Sequence, residues 1–167
     1  MALFKKLGLL TALLACHSLA LSQTHEDPTE PIGSALRARE FDKAVELTRS
    51  ALRASPGSAQ LWTLQGIAFA GKRDRKQALA AFQQALKISP NSVAALAGAA
   101  QIEYEADSRE AVPLLNRLLE LRPGDPTSHA MLAVLEYRNG DCTAAVPHFD
   151  KASKLLEIGR ASCRERV

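Results

Sequence analysis

Aromatic residues are scarce in this 167-residue chain: one Trp, two Tyr and five Phe make up 5% of it, which excludes a core built on stacked rings. The interior must come from Leu, Ala and Val, a mixture that lets helices approach closely and favours an all-α fold. Disorder is excluded too, because 47% of the residues are apolar and a chain of this length normally makes one domain with a continuous core. Cysteine is nearly missing. Of the three, Cys16 and Cys163 lie near the ends and Cys142 alone serves the body. A lone cysteine closes no internal disulfide, so Cys142 reads as a small packing residue at a helix start, or as the partner of something further along. Long apolar runs are also lacking. The longest candidate, Leu7 to Ala15, has about 9 residues against the ~20 that a membrane-spanning helix needs.

That short run carries a different meaning. Lys5 and Lys6 precede it, and small residues follow at Ser18, Ala20 and Ser22. The pattern reads as a cleavable secretory signal over residues 1–22, followed by a polar leader over 23–28. "LLAC", Leu13 to Cys16, also resembles a bacterial lipobox, which leaves a second option in which Cys16 is lipidated and anchors the chain. Either way the expectation is export, periplasmic or secreted, without membrane insertion of the mature domain. At the other end "EIGRASCRERV", residues 157–167, breaks the pattern and resembles the conceptual translation of a sequencing adapter. We treat it as an artefactual tail and expect the natural chain to continue past Leu156.

The ends distort the charge. Of the 21 basic and 18 acidic residues, Lys5, Lys6, Arg160, Arg164, Arg166, Glu157 and Glu165 lie in those ends; without them the two signs are equal in number. A neutral body has no electrostatic footprint for nucleic acid or an anionic membrane, so the sequence pI of 8.9 is not one.

What the chain does have is a period. Ala44, Ala78, Ala111 and Ala145 recur at a near-constant step of about 34 residues, and Ala51, Ala85, Leu118 and Ala152 keep the same steps. Phe82, Leu115 and Phe149 follow suit, and Pro56, Pro90 and Pro123 close three copies. Self-similarity at this period marks a repeat architecture. The copy from Ala59 to Ser92 places Trp62, Gly66, Phe69, Ala78, Phe82, Ala85 and Pro90 in the order W-x2-L-G-x2-Y, A-x3-F, P, with Gln65 in place of Leu. In this it resembles the tetratricopeptide repeat family, over roughly Thr29 to Leu156. The resemblance implies a right-handed superhelical α-solenoid of about four helical hairpins, at about 29–57, 58–91, 92–124 and 125–156.

The copies are unequal. "IEY" at Ile102 to Tyr104 recurs as "LEY" at Leu135 to Tyr137, which puts a deletion near Asp107 and sets Glu103 and Glu136 where the family prefers an aromatic. Pro28 and Pro31 allow the first helix only from about Pro31. Leu79, Phe82, Ala85 and Leu86 form one apolar stripe at helical spacing. Gly66 and Ala78 are small, on this reading, because helix backbones meet there. Val146, Phe149 and Leu156 lie where a further repeat or cap would pack.

Chemistry is hard to find. His129 and His148, far apart in sequence, could approach within the last hairpin near Asp141 or Asp150, but no H-E-x-x-H or paired C-x-x-C accompanies them, and His129 stands at the Trp site, where packing explains it. The basic cluster "GKRDRK", Gly71 to Lys76, reads as a solvated turn. Ser and Asp at helix starts read as caps. No catalytic set, metal site or cofactor is expected, and the chain reads as a non-enzyme.

The resemblance locates a binding surface instead. In the family the first helices of each repeat line a concave groove, and the matching positions are Ile67, Ala70, Gly71, Gln101, Tyr104, Glu105, Val134, Tyr137 and Arg138. Tyr104 and Tyr137, one repeat apart, either form an aromatic wall for an extended segment or helix, or bury against neighbouring helices. The implied function is a scaffold that holds a protein or peptide partner in this groove. The alternative is an interaction module at the front of a longer enzyme or envelope-assembly factor.

Overall fold

The computed structural model describes residues 27–152. The expected signal, most of the leader, Cys16 and the tail lie outside the described residues. Those residues form eight helices: α1 Thr29–Arg37, α2 Phe41–Ala54, α3 Ala59–Gly71, α4 Arg75–Ile88, α5 Val93–Glu105, α6 Ala111–Leu121, α7 Pro126–Arg138 and α8 Cys142–Lys151. Main packing is between consecutive helices, with α1 also touching α3 and α3 touching α5. This is the contact pattern of an α-solenoid, in which each hairpin meets only its neighbours.

Local chemistry punctuates the helices at the same places in each unit. Ser58, Asp74, Ser92, Asp125 and Asp141 each accept a backbone N–H three residues on, capping α3, α4, α5, α7 and α8. Hydrogen bonding of Ser128 to the Asp125 carboxylate holds that acid below its ordinary value. Within each hairpin one turn residue adopts a left-handed conformation: Arg39, Arg73, Asp107 and Gly140, with φ of 59°, 61°, 54° and 80°. The amide after it reaches back five residues, as Asp74 N–H does to the Phe69 carbonyl at 3.0 Å. This closure satisfies carbonyls that a helix end would otherwise leave open. The second helices α2 and α4 give way at Ser55 and Ser89, each kept out of the helical region by the proline that follows.

Two expectations about helix positions need correction. α1 starts at Thr29, not Pro31: the Asp27 carboxylate accepts the Thr29 N–H at 2.9 Å, and Pro31 sits within the first turn, where its missing N–H costs nothing. Cys142, buried in the first turn of α8, is disulfide-bonded and so is not a plain packing thiol; its partner lies outside the described residues.

The small residues are explained by rings. Phe82 on α4 is 1% exposed. A Cβ on Gly66 of α3 would come within 2.6 Å of its ring, and one on Gly98 of α5 within 2.3 Å. Gly66 is therefore small to admit Phe82, not because helix backbones meet. One ring thus pins its own hairpin and the next. Gly71 does the same for Phe41, whose ring lies 2.3 Å from where its Cβ would stand.

Polar staples join successive units along the turns. Lys72 pairs with Asp42, Arg75 donates to the Ile102 carbonyl at 2.7 Å, and Arg138 meets Asp107 at 3.0 Å. The cluster from Gly71 to Lys76 is therefore not merely a solvated turn, since two of its cations tie neighbouring repeats.

Candidate binding groove

Helix periodicity sets the residues of a first helix that share a face at spacings of three and four. On α3 these are Ile67 and Ala70; on α5 they are Gly98, Gln101, Ile102 and Glu105. The two rows face each other across a cleft of about 590 Å³. Its floor is Phe82, which reaches it only because Gly66 and Gly98 leave room. Arg73 and Arg75 stand at one end.

Two smaller hollows adjoin the cleft, each sharing one wall residue with it. Ile67 also lines a 380 Å³ hollow with Thr63, Leu64, Ser89 and Ser92, toward the start of α3. Gln101 also lines a 220 Å³ pocket between α5 and α7, with Val93, Ala97, Met131 and Arg122. The three cavities thus follow one another along α3, α5 and α7. Ile67 is 39% exposed, one of two large apolar side chains so open among the described residues. Gln101 donates to Glu105 at 2.6 Å, which aligns both polar ends along the rim.

The structure gathers four of the nine expected groove residues, Ile67, Ala70, Gln101 and Glu105, in this cleft. The other five have different surroundings. Gly71 seats the Phe41 ring. Tyr104 is half-buried against the cluster containing Leu96 and Leu115. Tyr137, also half-buried, meets Phe149 edge-on with centroids 6.4 Å apart. Val134 is half-buried, and Arg138 is engaged by Asp107. Sequence reasoning missed Phe82, Gly98, Arg73 and Arg75 as parts of the cleft. The regular placement of Arg73 at the left-handed turn was the available signal, since that turn sends the chain back across the end of α3.

Among the described residues no group of three or more His, Cys, Asp or Glu is placed to hold a metal ion, and no helix is long and apolar enough to cross a membrane.

Comparison with known proteins follows from this geometry. The family model of the cytochrome c-type biogenesis protein H TPR domain matches residues 28–161. Among solved structures, a tetratricopeptide repeat protein from Parabacteroides merdae superposes with a TM-score of 0.74 at 20% identity, covering 83% of this chain and 58% of that one. MamA from Desulfovibrio magneticus RS-1 superposes with a TM-score of 0.71 at 16% identity, covering 83% and 88%. The Arabidopsis thaliana protein CTR9 homolog is 26% identical over 154 residues, 91% of this chain; the chain spans 14% of that relative's length.

Proposed function

The chain belongs to the family of the cytochrome c-type biogenesis protein H TPR domain, a tetratricopeptide repeat scaffold for protein–protein contacts, and from that premise we propose that its groove binds an extended polypeptide segment. The observation that supports this is the row of three adjoining cavities along α3, α5 and α7, with an apolar floor at Phe82 and hydrogen-bonding groups on the rim. An extended segment would lay apolar side chains beside Ile67 and Ala70, and its backbone would meet Gln101 and Glu105. We read the domain as non-enzymatic, as scaffolds of this kind typically are.

The test uses peptides selected from a random library on the purified domain. Ile67→Glu combined with Gln101→Ala is expected to weaken their binding at least roughly tenfold, the equivalent of about 1.4 kcal/mol, with helicity unchanged. Undiminished binding by the double variant would remove the groove. Tyr104→Ala and Tyr137→Ala are poorer probes, because both rings support cores.

The family's description favours one refinement: a module that contributes protein contacts to the biogenesis of c-type cytochromes. Cells lacking the gene would then show reduced haem-stained c-type cytochromes, and undiminished staining would discard this refinement while leaving the groove reading intact.

A further inference from the structure

The repeat register lays His129, Glu136 and His148 on Trp62, Phe69 and Ala81, their equivalents two repeats earlier. Three positions that are apolar in the second repeat thus carry ionisable groups in the fourth. The third repeat has only Glu103 in the series, beside Leu96 and Leu114. In the α7–α8 hairpin the three groups meet.

His129 is 2% exposed. Its Nε2 lies 3.0 Å from the Pro123 carbonyl oxygen, repeating the bond that the Trp62 Nε1–H donates to the Pro56 carbonyl at 2.9 Å. A carbonyl can only accept, so His129 carries its proton on Nε2 and presents a bare Nδ1. That atom is 2.8 Å from Nδ1 of His148, so the proton between the rings belongs to His148. The Nε2 of His148 then faces Glu136 Oε1 at 3.8 Å, and Glu136 Oε2 is buried with no hydrogen-bond partner. Donors point one way along the two rings, from His148 through His129 to Pro123, and Glu136 stands beyond hydrogen-bond reach of His148.

We propose that the Pro123 carbonyl, His129 and His148 form a latch that holds α8 against α7 while both rings are neutral, and that opens when acid adds a proton to the pair of rings. A proton on the bare Nδ1 of His129 would set two N–H groups against each other and place a charge on a buried ring. The neighbouring charges act in the same sense. Burial lowers the His148 pKa, with His129 and Lys151 adding to it. Burial raises that of Glu136, with Asp141 adding to it. Arg122 and Asp125 stand at the His129 end.

The two shifts have opposite signs. For His148, stability is fully present above the unfolded histidine value of about 6.5 and is lost as pH falls through the depressed one. For Glu136, stability is present below its unfolded value and is lost as pH rises through the raised one, so it opposes the histidine effect between those two values. α8 is suited to opening by itself, because Pro147 inside it lacks an N–H and leaves the Thr143 carbonyl without its helical donor. Tyr137 packs on Phe149 of α8, so release of α8 reaches the first helix of this repeat.

Amide hydrogen exchange on the intact chain tests the latch. The opening constant of amides in 142–151 is expected to rise by up to roughly tenfold per pH unit below about pH 6.5, less where Glu136 offsets it, while those in 61–88, which contain no histidine, stay nearly flat. The triple variant His129→Trp, Glu136→Phe and His148→Ala, which restores the residues of the second repeat, should lose the acid rise. Should it fail to fold, His148→Asn keeps a donor for His129 Nδ1 without a titrating ring and should be equally flat. Nitrogen chemical shifts near neutral pH should show the Nε2–H tautomer for His129 and the Nδ1–H tautomer for His148. An acid rise in His148→Asn equal to that of the unmodified chain, a flat profile in the unmodified chain, or an Nε2–H tautomer at His148 would each overturn the proposal.

Discussion

At the scale of the residue, the decisive pairing is a ring with an absent side chain. Phe82 fills space that Gly66 and Gly98 leave open, from two different repeats. Gly98→Ala should therefore destabilise the fold by about 1–3 kcal/mol, since the new methyl has no room and the ring is locked on all sides. Gly57→Ala is the control, because nothing lies within 4 Å of its Cβ and the effect should stay within about 0.5 kcal/mol. Denaturant midpoints of the two variants check this, and equal midpoints would refute it. The glycines could be read from the sequence as positions of close approach. Their partner could not, because Gly66, Phe82 and Gly98 stand on three successive helices that only the folded hairpins bring together.

At the scale of the element, the hairpin turn repeats its left-handed residue four times, and only Gly140 suits it by residue type. Arg39, exposed at the α1–α2 turn and remote from the groove, carries that strain needlessly. Arg39→Gly should raise stability by up to about 1 kcal/mol, and Gly140→Ala should lower it by a similar amount. Thermal unfolding of the pair gives the answer, with a melting temperature unmoved by either change counting against it. The helices themselves were legible, because caps, apolar spacing and closing prolines all agree. The start of the first helix was not, since a proline in a first turn marks no boundary by itself. Sequence shows the His129–His148 contact only as an approach; its direction depends on the Pro123 carbonyl, which no spacing rule includes.

At the scale of the whole molecule, the period of about 34 residues carried the fold, because each unit repeats the same burial problem and solves it against its neighbours. The groove was legible in part for the same reason. Ile67, Ala70, Gln101 and Glu105 occupy equivalent faces of α3 and α5, whereas Tyr104 and Tyr137 follow the register but turn half their surface into the core. Register fixes where a residue stands on a helix; the size of its neighbours decides how much of it remains outside. Here Glu136 stands where the second repeat has Phe69, and the Tyr137 ring leans on Phe149.

The central claim is that a partner lies along the first helices. The most direct measurement is backbone chemical-shift mapping of the labelled domain titrated with a selected peptide. The account predicts shifts concentrated in α3, α5 and α7, beginning at Ile67, Ala70, Gln101 and Glu105. Shifts confined to α2, α4, α6 and α8 would contradict it.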